Sequence, residues 1–184
     1  MPTYIALLRG INVGGRGKVP MRDLVALFDR LGHTNIRTYV QSGNVVFTSK
    51  AASPGRVRSA IEHGIEAEFG FEDAVLLRTP AELAAVLRQN PLGDEAYVTF
   101  LDGKPDRKRV EAIDSAAYAP DEFVVRGREV FVRCPNGYGR TKINNAFFER
   151  KLAVQATTRN WKSVTTLHEW STGLPGPDRV VRAV

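Results

Sequence analysis

The sequence predicts an α+β protein made of two ferredoxin-like halves, each a βαββαβ unit with an extra helix and an antiparallel sheet. Short runs of β-branched and aromatic residues alternate with segments whose apolar residues recur at helical spacing. Turn signals at Ser42-Gly43 and at Gly127 join successive strands as hairpins. The same order of elements starts again after about residue 90.

The first half is predicted to span residues 1–90. Its two longer helices are recognised by apolar residues three and four positions apart, at Leu24, Leu27, Phe28 and Leu31 and at Val57, Ile61, Ile65 and Phe69. Proline suits the first turn of a helix, where its missing N–H costs nothing. The predicted elements are strand 3–8, a helix from about Pro20, strands 36–41 and 44–49, a helix from about Pro54, strand 74–78 and helix 80–89.

The second half is predicted to span residues 91–172, after a boundary in "QNPLGDE" (89–95). A tail at 173–184, with two prolines and two glycines, is predicted to be loose. The predicted elements are strand 96–101, a helix from about Pro105, strands 122–127 and 129–134, a helix from about Thr141, strand 154–158 and a helix from Asn160.

Composition is that of a globular protein, with 43% hydrophobic and 25% charged residues among 184. No apolar run approaches the 18 or so residues of a membrane span, so no membrane association is expected. The N-terminus reads as a first strand and not as a signal peptide. Cys134 is the only cysteine, which rules out an internal disulfide and favours a cytoplasmic location.

Positive charge is concentrated in one part of the chain. The segment 126–162 holds nine cations and two anions, whereas the whole chain carries a net charge of +6. A concentrated basic region attracts phosphates and other anions. The alternative interpretation is a solvated basic surface.

The predicted topology brings distant polar loops together. In a βαββαβ sheet the first and second strands run in the same direction, so "RGINVGGRGK" (9–18) should lie near "QSGN" (41–44). By the same argument, "NGYGRTK" (136–142) should lie near "TTRNW" (157–161). Hydrophobic burial does not require these pairings, and they therefore indicate candidate sites.

The first candidate site combines flexible glycines with cations and amides. It is neither a Walker loop, because Arg16-Gly17 stands where Lys-Ser/Thr is needed, nor a G-x-G-x-x-G dinucleotide fingerprint. A mobile loop is the alternative interpretation. The candidate ligand-binding residues are Arg9, Asn12, Lys18, Gln41, Ser42 and Asn44.

The second candidate site has a glycine-rich turn before a predicted helix, with Thr141 as its expected N-cap. Unpaired N–H groups at a helix start beside cations bind anions. A capped helix after an ordinary glycine turn is the alternative. The candidate residues are Asn136, Tyr138, Arg140, Thr141, Lys142, Asn145, Thr158, Arg159, Asn160 and Trp161, the last being either a stacking platform or a core anchor.

Other chemistry finds little support in the sequence. The three histidines are scattered, so neither a metal site nor a cofactor is predicted. Cys134, beside a basic loop, is either a nucleophile or a buried structural cysteine. "QSGNVVF" distantly resembles the third strand of an RNA-recognition motif, but valines stand where stacking rings are needed.

Four long motifs carry a family resemblance: "YIALLRGINVGG" with "KVPM", "YVQSGNVVF", "NGYGRTKINNAFFERKL" and "ATTRNWKSVTTL". They resemble domain-of-unknown-function family 1697 from Tyr4 to about Leu167. The resemblance implies a small bacterial cytoplasmic protein with two α/β subdomains of ferredoxin-like character. It implies no reaction, substrate or catalytic residue.

Three functional hypotheses follow. The first is a protein that binds a phosphate-bearing ligand or nucleic acid through the two polar loop clusters. The second is an enzyme acting on a phosphorylated metabolite or nucleotide, with Arg9, Arg140 and Arg159 clamping the phosphate. The third is a protein–protein adaptor whose glycine loops are interface turns. The sequence does not predict the oligomeric state.

Overall fold

A computed structural model describes residues 1–12, 17–51 and 53–173. The first half contains β1 (Thr3–Leu8), α1 (Met21–Arg30), β2 (Thr34–Tyr39), β3 (Asn44–Thr48), α2 (Pro54–Phe69), β4 (Val75–Arg78) and α3 (Pro80–Gln89). The second contains β5 (Tyr97–Leu101), α4 (Arg107–Glu111), β6 (Glu122–Arg126), β7 (Glu129–Arg133), α5 (Asn145–Leu152), β8 (Ala156–Asn160) and α6 (Trp161–Ser171).

Both sheets have four strands, and all their pairings are antiparallel. Their orders are β2-β3-β1-β4 and β6-β7-β5-β8, so equivalent strands occupy equivalent places. This is the ferredoxin-like order, and it confirms the predicted fold class of two antiparallel α+β halves.

The two sheets pack against each other through a shared central core. Ile5 and Leu7 of β1 lie in one buried cluster with Phe100 of β5 and Phe131 of β7. Helices α1 and α2 cover the outer face of the first sheet, and α4 and α5 cover that of the second. The face that a ferredoxin-like sheet leaves free of helices is therefore buried in each half, which excludes the base-stacking surface of an RNA-recognition motif.

Helices α3 and α6 line this central core. Helix α6 contacts β1 and β3 of the first sheet as well as β5 and β8 of its own. Leu83 and Val86 of α3 and Val164 and Leu167 of α6 are buried there. The extra helix of each half therefore joins the two halves together.

The helix predicted from about Pro105 has Val110, Ile113 and Ala117 at helical spacing, but the observed helix is shorter than this pattern predicts. Helix α4 ends at Glu111, and a separate 3₁₀ turn follows at Ser115–Tyr118. The Asp114 side chain accepts a hydrogen bond of 3.1 Å from the backbone N–H of Ala116, which starts this new turn. Aspartate competes for backbone donors in this way and interrupts helices.

The helix predicted from Thr141 was placed too early, because α5 begins at Asn145. Its N-cap is Asn144, whose side chain accepts from the backbone N–H of Phe147 at 3.1 Å. Thr141 instead donates to Asp121 Oδ2 at 2.6 Å and accepts from the N–H of Ile143. The glycine turn is thus separated from the helix start.

The division of the chain into two domains near residue 90 stays a prediction. The loose tail predicted at 173–184 also stays a prediction, because residues 174–184 lie outside the described part of the chain. Among the described helices, none combines the length and the apolar character that crossing a membrane would require.

Candidate functional site

The first pair of polar loops meets as predicted. Asn12 donates from Nδ2 to the carbonyls of Gln41 and Val19, each at 2.9 Å, and its Oδ1 accepts from the N–H of Val19. The side chain of Asn12 is therefore used to fasten the loop after β1. Lys18 is exposed, and the glycine-rich residues 13–16 of this predicted site lie outside the described part of the chain.

Arg159 reaches from the second half into this loop pair. Its Nε donates to Asn44 Oδ1 at 2.5 Å, and one terminal nitrogen donates to the carbonyls of Leu8 at 2.7 Å and Ser42 at 3.0 Å. The other terminal nitrogen donates to Thr157 Oγ1 and to the carbonyl of Thr158. A guanidinium has five N–H donors, and all five are used within the protein.

Arg78 of the first half makes the equivalent contact with the second half. It lies at the end of β4, and its Nε donates to Glu129 Oε1 at 2.9 Å. One terminal nitrogen donates to the carbonyls of Leu101, at the end of β5, and Arg128, in the turn between β6 and β7. The other terminal nitrogen donates to the carbonyl of Leu77, just as Arg159 bonds the carbonyl of the residue before it.

Arg9 is also engaged between the halves. It forms a two-pronged ion pair with Glu149 of α5, in which Nε donates to Oε1 at 2.5 Å and a terminal nitrogen donates to Oε2. Arg140 belongs to the loop that contacts Thr158, and the side chains of Thr158 and Arg159 alternate across the strand. All five donors of Arg159 are used within the protein and Arg9 is paired with Glu149, whereas Arg140 is exposed, so the three-arginine phosphate clamp stays a prediction.

The second pair of polar loops also meets as predicted, on the outer face of the second sheet. The hydroxyl of Tyr138 donates to Thr158 Oγ1 at 2.9 Å, and its ring stacks on Tyr97 with centroids 4.7 Å apart. Thr158 Oγ1 lies 2.5 Å from Asn145 Oδ1 and 2.7 Å from Thr99 Oγ1. Burial raises the pKa of Tyr138, so this hydroxyl stays protonated at neutral pH.

A pocket of about 310 Å³, the Arg140 pocket, lies beside this network. Arg140 and Lys142 are exposed there, and neither side chain forms a hydrogen bond or ion pair with any described residue. Asp121, the acidic lining residue, already accepts from Thr141. The lining residues are Ala117, Tyr118, Ala119, Pro120, Asp121, Asn136, Gly137, Arg140, Thr141 and Lys142.

A second pocket of about 610 Å³, the Trp161 pocket, adjoins the first and shares Gly137 with it. Its walls include the aromatic residues Tyr97 and Trp161 and the polar residues Asn160 and Lys162. Trp161 is half-buried and also packs against the central core, so it is both a pocket wall and a core anchor.

Cys134 also lines the Trp161 pocket. It is buried, and burial raises the pKa of its thiol. A raised pKa disfavours the thiolate that a nucleophile needs, which favours the structural interpretation of this cysteine.

A third pocket, of about 440 Å³, contains residues that the sequence did not single out. Asp73 accepts from the backbone N–H of Gly10 at 2.9 Å, while its Oδ2 is buried and has no hydrogen-bond partner among the described residues. Burial raises the pKa of Asp73 to about 6, although Arg9 and Arg159 lower it in part. Within the described residues, no three His, Cys, Asp or Glu side chains are grouped to hold a metal ion.

Sequence reasoning missed Asp73, Arg78 and Glu149. Arg78 carried a usable signal, because it ends the apolar run "AVLLR" and a cation in a buried strand needs partners. Glu149 carried none, since one glutamate on an amphipathic helix is ordinary.

Comparisons with known proteins agree with this architecture. The conserved bacterial protein SP0830 from Streptococcus pneumoniae has a solved structure that is similar with a TM-score of 0.74 and 22% sequence identity. The match covers 94% of this chain and 99% of that one, and at this identity it concerns the fold alone. A search of curated proteins finds no significant match. The profile of the protein family of unknown function DUF1697 matches residues 1–131, and the chain therefore belongs to that family.

Proposed function

We propose that the second half binds a phosphate-bearing ligand in the Arg140 pocket. The observation that carries this proposal is the pair of exposed cations, Arg140 and Lys142, which have no partner among the described residues. Three other cations of the basic segment are engaged, because Arg128 pairs with Glu82, Arg133 pairs with Glu122 and Arg159 is buried. The remaining cations are exposed but do not line this pocket: Arg126, Arg150, Lys151 and Lys162. Unpaired cations beside an amide bind phosphate through charge-assisted hydrogen bonds.

The pocket favours a small ligand over an extended nucleic acid. Its volume of about 310 Å³ suits a phosphate group with part of its parent molecule. The flat sheet faces, on which many single-stranded nucleic acids stack, are buried between the halves. A cytoplasmic location is part of this proposal, and cell fractionation checks it.

The test is a binding titration of the purified protein with inorganic phosphate, sugar phosphates, nucleotides and short single- and double-stranded oligonucleotides. Calorimetry and thermal shift should detect at least one small phosphate compound. The variant Arg140→Ala/Lys142→Ala should lose about tenfold or more in affinity, because each phosphate contact is charge-assisted. Its unfolding midpoint should change little, since both side chains are exposed.

The matched control is Arg150→Ala/Lys151→Ala, which removes the same charge from exposed positions of α5. It should leave the affinity nearly unchanged. An equal loss in both variants would mean diffuse electrostatic attraction and would contradict the pocket. An absence of binding by every phosphate compound would favour the adaptor hypothesis instead.

A further inference from the structure

We infer that the ligand is a nucleotide whose phosphate lies in the Arg140 pocket and whose base lies in the Trp161 pocket. This inference rests on the proposed function and names the class of ligand. The two pockets adjoin each other, because Gly137 lines both of them. One molecule with a charged end and an aromatic end fits that pair of surfaces.

The Trp161 pocket has the aromatic walls that a base requires. Tyr97 and Trp161 both line it, and stacking on aromatic side chains is the main way in which proteins bind bases without pairing them. Tyr97 is held in place by its stacked contact with Tyr138, which is itself hydrogen-bonded to Thr158. This wall is therefore ordered before the ligand arrives, which lowers the entropic cost of binding.

Polar groups around the rings match the edges of a base. Asn160 uses its Oδ1 to accept from the N–H of Ser163, and its amide nitrogen has no partner among the described residues. Asp94 and Glu95 also line this pocket, and carboxylates accept hydrogen bonds from exocyclic amino groups. A plain hydrocarbon would leave these groups unused.

The backbone between the pockets leaves room for the sugar. Gly137 adopts a φ of 87°, and a Cβ added there would meet no atom within 4 Å. The same residue lines both the pocket with the aromatic walls and the pocket with the cations. A ribose that joins base and phosphate would pass over this glycine.

The experiment uses the full chain with Trp170→Phe, so that Trp161 is the single tryptophan and its fluorescence reports on the base. The four nucleoside monophosphates, adenosine, ribose 5-phosphate and inorganic phosphate are titrated in turn. The best nucleoside monophosphate should quench Trp161 and bind about tenfold or more tighter than ribose 5-phosphate, the usual effect of one stacked base. Trp161→Leu, titrated by calorimetry because it lacks the reporting tryptophan, should lose that preference and retain the binding of ribose 5-phosphate.

The outcomes separate this inference from the proposed function. If ribose 5-phosphate binds as tightly as every nucleotide, the nucleotide inference is overturned and the phosphate proposal stands. If adenosine binds as tightly as its monophosphate, both are overturned, because the phosphate then contributes nothing. If Trp161→Leu does not fold, the comparison of nucleotides with ribose 5-phosphate on the parent protein still decides the question.

Discussion

Arg78 and Arg159 occupy equivalent positions in the fourth strands of the two sheets and reach across the interface in opposite directions. Each donates to the last carbonyl of the other half's first strand, Leu101 for Arg78 and Leu8 for Arg159. Each also bonds a carbonyl in the turn before the other half's third strand. The two halves therefore share both the order of their elements and this arginine contact, which holds the halves together.

This arrangement predicts a large loss of stability when either arginine is shortened. Arg159→Met should lower the free energy of unfolding by about 3 kcal/mol or more, because three acceptors of the first half lose a charged donor in a buried site. Arg78→Met should cost a similar amount, since it also leaves Glu129 without its buried partner. Urea denaturation measures both effects.

The control for these variants is Arg126→Met, an exposed arginine on β6. It should change the free energy of unfolding by less than about 0.5 kcal/mol. Arg159→Lys keeps the charge but not the five donors, and should remain clearly destabilised. If Arg159→Met lowered the free energy of unfolding no more than the Arg126→Met control does, the role of Arg159 in holding the two halves together would be refuted.

The Arg9–Glu149 ion pair predicts unequal effects for its two partners. Arg9→Ala should lower the free energy of unfolding by about 1 kcal/mol, because Arg9 is partly exposed and solvent screens the pair. Glu149→Ala should cost about 2 kcal/mol, since Glu149 also accepts from the backbone N–H of Ala156 at 3.0 Å. A double-mutant cycle by denaturation separates the two contributions, and equal single-variant costs would be inconsistent with the backbone contact.

Asp73 predicts an unusual dependence of stability on pH. Its pKa is raised to about 6 in the fold, so the folded protein binds the proton more tightly than the unfolded chain does. The contribution of Asp73 to stability is therefore favourable below about pH 4, near its ordinary pKa of 3.8, and is lost as the pH rises through 6.

Asp73→Asn removes this titration while keeping an oxygen that can accept from Gly10. It should stabilise the protein by about 1 kcal/mol at pH 7.5 and by nothing below pH 4, a magnitude reduced because the carboxyl is only partly buried. Denaturation curves across pH 4–8 measure the difference. Lower stability of Asp73→Asn at pH 7.5 would show that the attraction of Arg9 and Arg159 outweighs desolvation.

Gly43 lies where the turn between β2 and β3 packs closely against the end of β1 and the loop that follows it, and a substitution there tests this close contact. It adopts a φ of 71°, and an added Cβ would lie 2.7 Å from Leu8 Cβ and 2.9 Å from the Ile11 side chain. Gly43→Ala should therefore cost about 2–4 kcal/mol from backbone strain and overlap together. Gly32 has a φ of 79° and open space around it, so Gly32→Ala should cost only about 1 kcal/mol. Thermal denaturation of both variants would reveal similar losses if crowding at Gly43 were absent.

Much of the fold could be predicted from local patterns. Strand β1 and helix α3 have the predicted bounds, and the hairpins turn at Ser42-Gly43 and Gly127-Arg128. The end of α4 and the start of α5 were predicted less well, because Asp114, Thr141 and Asn144 each cap backbone groups locally. Several polar side chains compete for those groups, and sequence spacing does not reveal which one prevails.

By itself, the sequence determined the order of elements, the antiparallel topology and the meeting of each pair of polar loops, since these follow from nearby turns and alternating apolar residues. Only the tertiary structure decided which cations are buried with hydrogen-bond partners and which are exposed. Arg159 and Arg140 belong to the same basic segment, yet Arg159 is buried in the contact between halves whereas Arg140 is exposed beside a pocket. The reason is that burial and hydrogen-bond partners depend on how the two sheets pack, and residues more than 100 positions apart create that packing.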